Sequence, residues 1–166
     1  MAMMKIVKAS TLPQYQTIET LAKEIWTEHY TSIIGKAQVD YMLSKFQSIA
    51  AIESQIVDGY EYFILVVKGL SIGYLSVKKE NSLLFLSKIY LSRSSRGLGY
   101  GKAALFFVEN HAKSNGLNKI RLTVNKNNTG SLKAYVNCGF VQVDAIVMDI
   151  GGGYVMDDYV LEKLID

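Results

Sequence analysis

Between Arg96 and Lys102 the chain reads Arg-Gly-Leu-Gly-Tyr-Gly-Lys, with three glycines at alternate positions. Glycines let backbone N–H groups come close to a ligand, and the start of a helix adds unpaired donors and a partial positive charge. Arg96, Gly97, Leu98, Gly99, Tyr100, Gly101 and Lys102 therefore describe an anion site, suited above all to phosphate. Two phosphate loops are excluded. A P-loop needs Ser or Thr where Ala103 stands and Gly where Arg96 stands. A dinucleotide fingerprint needs its third glycine at Lys102 and an acid about twenty residues on, where Ile120, Arg121, Leu122 and Thr123 offer none. A tight strand-to-helix turn without a ligand stays open at this point.

The charge around the turn supports an anionic ligand. The formal net charge of the chain is only +3, but nine basic residues and one acid, Glu109, fall between Leu86 and Lys133. Such a field suits a polyanion. A solvated basic face is the plain alternative, and nucleic acid is a rival partner for which no helix-turn-helix, zinc-finger or RNP-type signature is present.

The elements that must position these residues follow from patterning. The 166 residues, 49% hydrophobic and 20% charged, fit one domain with a sizeable core, spanning 1–166. There is one proline, no low-complexity run and no internal repeat. The single Cys138 cannot form an internal disulfide, no stretch is long and apolar enough to span a bilayer, and Met-Ala-Met-Met-Lys lacks a signal-peptide core. The expectation is a cytoplasmic protein without membrane or nucleic-acid partners; a homodimer is compatible with the sequence.

Strands are expected at Lys5–Ala9, Tyr60–Val67, Ser71–Lys78, Ser82–Leu91, Lys119–Val124, about 140–150 and about 154–164. Helices are expected from Pro13, capped by Thr11, to about Tyr30; from about Gln38 to Val57, with an interruption near Gln47 left open; from Gly99 to Asn115; and from Ser131 to Asn137. This order predicts an α/β (α+β) domain: a mixed, largely antiparallel sheet of about seven strands with about four flanking helices.

On these residues the chain resembles the GCN5-related N-acetyltransferase (GNAT) superfamily. Arg96-Gly97-Leu98-Gly99-Tyr100-Gly101 satisfies the family turn, Gln or Arg, two residues, Gly, one residue, Gly or Ala, and Lys88-Ile89-Tyr90-Leu91 resembles the strand leading into it. A second block, Asn128, Ser131-Leu132-Lys133-Ala134-Tyr135 and Gly139-Phe140, is similar to the family's fourth helix and following strand. The specific resemblance covers roughly residues 85 to 140.

The resemblance implies acetyl-CoA as cosubstrate, with no metal. The amides of Gly97 through Lys102 would face its pyrophosphate, with Arg96, Lys102 and Lys133 as nearby cations. Ile89 and Leu91 would lend backbone groups to the pantetheine arm, the Leu91 N–H serving as oxyanion donor. Asn128 would hydrogen-bond the pantetheine, with Ser131 and Tyr135 beside it, and Tyr135 would be the general acid to the departing thiolate. The base is not legible. Relatives often carry a glutamate on the strand before the turn, where this chain has Phe85, Leu86 and Ser87; Glu28, His29, Asp157 and Asp158 are the candidates elsewhere, and His111 is a weaker one.

The acceptor is expected between the first two helices and the last hairpin. Trp26, Tyr30, Asp40 and Tyr41, with Asp157 and Asp158, would suit a cationic amine. The resemblance thus implies acetyl transfer to a small amine or polyamine. A protein N-terminus or lysine is the alternative acceptor, and a catalytically inactive coenzyme A-binding module is the alternative of another class.

Overall fold

The computed structural model describes residues 2–166. The first helix, α1 (Leu12–Ile34), follows β1 (Met4–Lys8) and begins where Thr11 is extended and the Gln14 carboxamide accepts from the Ser10 and Thr11 N–H groups. It runs a turn beyond the expected end. The second helical region is two helices, α2 (Lys36–Phe46) and α3 (Ile49–Val57), so five helices flank the sheet instead of about four. The break has a local cause: Ser48 is extended and its hydroxyl accepts from Ala51 N–H, which starts a new helix.

β2 (Tyr60–Val67) and β3 (Leu70–Glu80) form a hairpin over Lys68-Gly69, both at positive φ. β4 (Leu83–Leu91) leads to the glycine turn and α4 (Tyr100–Ser114). β5 (Lys119–Asn125), α5 (Thr129–Asn137), β6 (Val141–Gly151) and β7 (Tyr154–Leu164) complete the chain. The seven strands lie in the order β1-β2-β3-β4-β5-β7-β6, and only β4 and β5 pair in parallel.

Alternation of side chains sorts the core onto the two faces of the sheet. On one face Leu75, Val77, Leu86 and Leu122 meet Tyr100, Ala104, Val108 and Ala112 of α4. On the other, Tyr62, Ile64 and Tyr74 meet Ile18, Ala22, Ile25 and Trp26 of α1, Met42 of α2 and Ile52 of α3. The first face carries the glycine turn, and the second carries α1 to α3.

Candidate active site

The site begins as a fault in the sheet. On β4, Lys88 pairs with Ser76 and Leu86 with Val77, so Ser87 is an extra residue, a β-bulge. The parallel pairing with β5 covers Leu84, Phe85 and Leu86 and goes no further. Past the bulge the two strands are not paired with each other.

The register decides which backbone groups this frees. In an antiparallel pair, opposed residues alternate between exchanging hydrogen bonds and not. Ser92 N–H donates to Ile72 O at 2.7 Å, so Tyr90 opposite Tyr74 is a bonded pair, while Leu91 opposite Gly73 and Ile89 opposite Leu75 are non-bonded pairs. The N–H and C=O of Ile89 and Leu91 therefore point away from β3, toward the open side. Arg96 Nε donates to Leu91 O at 3.1 Å, so one of these groups already has a guanidinium on it.

A cavity of about 1070 Å³ occupies the opening. Ile89, Leu91, Arg96, Gly101, Lys102, Asn128, Ser131 and Tyr135 all line it, which brings the two sequence blocks to one place. Gly97 and Gly99 have φ of 75° and 90°, and Gly99 stands in the left-handed region as N-cap of α4. The first intrahelical bond at this end is Ala103 N–H to Gly99 O, which leaves the N–H groups of Tyr100, Gly101 and Lys102 free of it. The Tyr100 side chain is buried in the core and Leu98 is exposed, so these two can serve an anion only through their backbones. Lys133 is exposed and outside the cavity lining.

The basic segment is partly neutralised by β7. Arg121 and Lys119 pair with Glu162 at 2.7 and 3.5 Å, and Lys126 pairs with Asp157 at 2.8 Å. The cations nearest the turn in sequence are Arg93, Arg96 and Lys102.

Asn128 is buried, and its amide faces α1. The His29 Nε2 lies 3.1 Å from Asn128 Oδ1, and Asn128 Nδ2 donates to Tyr30 OH at 3.5 Å. A carbonyl oxygen only accepts, so Nε2 carries the proton, and Nδ1 is the sole position at which neutral His29 can accept another. Burial, with the Arg96 charge, holds His29 below its ordinary pKa despite the Asn128 bond. Tyr30 OH lies 3.5 Å from Tyr90 OH, and Trp26 is buried with its Nε1 donating to Tyr74 OH at 3.0 Å. Glu28 is exposed and lines a smaller recess of about 380 Å³ with Arg93, Arg96 and Thr129, not the main cavity. His111 is engaged elsewhere, 2.9 Å from Glu61.

The two aspartates of β7 differ sharply. Asp157 is exposed and paired with Lys126. Asp158 is buried, lines the cavity, and its Oδ1 has no hydrogen-bond partner among the described residues. Burial, reinforced by the Asp157 charge, pushes its pKa up to about 6, against the smaller pull of Thr123 and Lys126. Tyr135 is packed edge-on to Phe140 with ring centroids 5.8 Å apart, and burial raises its hydroxyl above the ordinary tyrosine value.

The far half of the cavity is apolar. Ile34, Met42, Phe46, Met148, Ile150 and Met156 line it, and α2 is tied to the β6–β7 hairpin across it. Gln38 Nε2 donates to Val155 O at 2.8 Å, Tyr41 OH to Ile150 O at 2.7 Å, and the Tyr41 and Tyr154 rings lie 5.1 Å apart. Among the described residues no group of three or more His, Cys, Asp or Glu is placed to hold a metal ion, and no helix is long and apolar enough to cross a membrane.

A fold with a bulged strand, an adjacent unpaired strand and a glycine turn at a helix start is the framework of acetyl-coenzyme A-binding acetyltransferases. The sequence model described as the Acetyltransferase (GNAT) family matches residues 18–140, and the chain belongs to that family, whose members use acetyl-CoA. Solved structures with the same fold include the PaiA N-acetyltransferase of Thermoplasma acidophilum in complex with coenzyme A, with 22% identity and a TM-score of 0.81 over 98% of this chain and 99% of that one. The ribosomal-protein-S18-alanine N-acetyltransferase of Escherichia coli is similar at 14% identity and a TM-score of 0.74, over 99% and 95% of the chains. A GCN5-related N-acetyltransferase of Rhodopseudomonas palustris is similar at 12% identity and 0.81, over 99% and 96%. A search of curated proteins by sequence found no match.

Sequence reasoning did not single out Lys88, Gln55 and Tyr60 as site residues, and all three line the cavity. One signal was available: Lys88 is the single charge inside the otherwise apolar run of β4. Gln55 and Tyr60 carry no such mark, because only the packing of α3 beside β2 brings them to the cavity.

Proposed function

We propose that the protein transfers an acetyl group from acetyl-CoA to the primary amine of a small molecule, by direct attack within a ternary complex. The observation that carries this reading is that one cavity is lined by the glycine-turn and β4 residues, by a set of apolar side chains and by the buried carboxylate of Asp158. The free backbone groups of Ile89 and Leu91 would hold the pantetheine as an added strand, and the first turn of α4 with Arg96 and Lys102 would hold the pyrophosphate. The coenzyme supplies an activated acetyl group as a thioester.

The chain's own residues would manage one oxyanion and two protons. The Leu91 N–H would donate to the carbonyl oxygen as charge develops there. As the amine nitrogen bonds to the carbonyl carbon and the carbon–sulfur bond breaks, Tyr135 would give its proton to the thiolate and Asp158 would accept the proton lost by the amine, directly or through water. Asp158 takes the role of base because it lines the cavity with an unengaged oxygen, whereas Glu28 lines the smaller recess.

The acceptor is a small amine. Of the acids that suggested a polycation, Asp40 is paired with Lys36 at 2.6 Å, Asp157 is paired with Lys126, and Asp158 alone lines the chamber. The α2–hairpin tie spans the chamber, which favours a small molecule over a protein chain. The test follows coenzyme A release from acetyl-CoA against small monoamines, polyamines, amino acids and short peptides. Turnover of monoamines or amino acids is expected. Turnover confined to peptides would overturn the small-acceptor reading, and stabilisation by acetyl-CoA with no turnover on any amine would favour the inactive binding module.

A further inference from the structure

Lys88 sits one residue past the bulge of β4, on the sheet face covered by α1 to α3. Its direct neighbour on β3 is Ser76, and the neighbour of Ser76 on β2 is Tyr62. The Nζ donates to Gln55 Oε1 and to Tyr62 OH, both at 2.9 Å, and stands 5.2 and 5.7 Å from the ring centroids of Tyr62 and Tyr60. Those partners are neutral. An ammonium has three protons to give, and two are used.

Lys88 is half-buried, and a lysine withdrawn from solvent is ordinarily paired with a carboxylate. Lys88 belongs to none of the ion pairs among the described residues, and the groups facing it from β2, β3 and α3 are Tyr60, Tyr62, Ser76 and Gln55. Burial drives its pKa down to about 7. The position is nevertheless held firmly. Tyr62 OH donates to Gln55 Oε1 at 2.5 Å and accepts from Gln47 Nε2 at 3.3 Å, Tyr74 OH donates to Gln47 Oε1 at 2.6 Å, and Trp26 Nε1 donates to Tyr74 OH. A chain of hydrogen bonds thus runs from α1 to a cation that lines the acceptor cavity and lacks a counter-charge.

We propose that Lys88 is the acceptor-recognition residue of this site, binding a carboxylate at the end of the acceptor remote from its amine. The inference rests on the acetyl-transfer reading of the same cavity and deepens it. Asp158 and Lys88 line one cavity, so the cavity offers an acid for the amine and a cation for an anion, and Met42, Phe46 and Ile150 add apolar lining. This pattern complements a zwitterion with an apolar body and opposes a polyamine, which would place a second cation against Lys88. A single ammonium with neutral neighbours matches one negative charge. A phosphate would call for the denser cationic set found at the glycine turn.

The test uses the wild-type protein saturated with acetyl-CoA and matched acceptors: ε-aminocaproate against hexylamine, aminomethylbenzoate against benzylamine, and diaminohexane as the dication. The carboxylate-bearing acceptors are expected to lead in kcat/KM by roughly ten- to hundred-fold, mainly through KM, the range for a charge-assisted bond. In Lys88→Met this ratio should fall toward unity. Equal or better use of hexylamine and diaminohexane by the wild type would overturn the proposal whatever the variant does.

A binding measurement separates this from failure of acetyl transfer itself. Caproate, which has no amine, should bind the acetyl-CoA complex where caproamide does not. At pH values above about 7 its binding should take up a proton, because an anion beside Lys88 raises a pKa that starts near 7. Calorimetry in buffers of different ionisation heat reads that uptake. No caproate binding overturns the Lys88 assignment; caproate binding without turnover of any amine upholds a carboxylate site at Lys88 but overturns acetyl transfer, and with it the acceptor role.

Discussion

Tyr135 and Asp158 line the same cavity with opposite proposed duties, and burial raises the pKa of both. It makes the aspartate more basic, which suits a base, and holds the tyrosine protonated, though as a weaker acid than a free one. Tyr135→Phe should lower kcat by roughly ten- to a thousand-fold with little change in KM for acetyl-CoA, measured by steady-state coenzyme A release. Unchanged turnover would remove the hydroxyl from the mechanism. Asp158→Asn should lower kcat over a similar range and abolish an inflection near pH 6 in the rate profile, because the wild-type carboxylate accepts protons only above its pKa of about 6.

The same aspartate should cost stability. Its folded pKa lies above its ordinary value of 3.8, so the folded state holds the proton more tightly and stability falls as pH rises from about 4 to about 6, then stays lower. Asp158→Asn should therefore raise Tm at pH values above 6 and leave it nearly unchanged below 4. A carboxylate kept buried with one oxygen unpaired at the expense of stability is the signature of a functional group. If Tm moves equally at both ends of the pH range, charge burial is not the cause.

At the scale of elements, β4 would carry the coenzyme platform, and Gly73 on β3 lets the two strands approach there. Gly73 stands opposite Leu91 in a non-bonded pair, where strands approach most closely, and a Cβ there would lie 2.2 Å from Tyr90 O and 3.1 Å from Leu91 Cα. Backbone cannot swing aside as a side chain can. Gly73→Ala is expected to cost about 1–3 kcal/mol of stability as an overpacking change, and to weaken acetyl-CoA binding because β4 shifts at Leu91. Denaturant unfolding and calorimetry check the two effects. Lost stability with unchanged affinity would mean that Leu91 does not contact the coenzyme. The α2–hairpin tie depends on glycine too: Gly152 has φ of 61° and a Cβ there would meet the Tyr41 ring at 2.9 Å.

At the scale of the molecule, the coenzyme would replace the strand pairing that β4 and β5 lack beyond Leu86. A ligand that binds only the folded state stabilises by RT ln(1 + [L]/Kd), about 2.7 kcal/mol at a hundredfold excess over Kd. For a chain of this size, each kcal/mol moves Tm by about 2–4 °C. Acetyl-CoA should therefore raise Tm by roughly 5–10 °C in a single transition under scanning calorimetry. No shift at saturating concentration would contradict binding at the glycine turn.

Much of this architecture is legible in the residues themselves. Near-continuous apolar runs mark β2 and β4, covered on both faces, and alternation marks β5, and the bounds of β2 match the sequence expectation. The glycine turn and the Asn128–Phe140 block are readable because they need particular residue types: positive φ at Gly97 and Gly99 demands glycine, and a backbone cradle leaves no room for side chains. The sequence alone therefore determined the fold class and the family, and it named the residues proposed for the coenzyme end of the site. The acceptor end was decided by tertiary structure. Asp157 and Asp158 are adjacent and identical, yet the strand places one in solvent with Lys126 and the other in the cavity with one oxygen unpaired. Lys88 reads as one more member of a basic run until the bulge at Ser87 and the packing of α3 beside β2 set it among neutral partners. Local rules fix backbone conformation, but the burial and charge partners that give a side chain its chemistry come from residues distant in the chain.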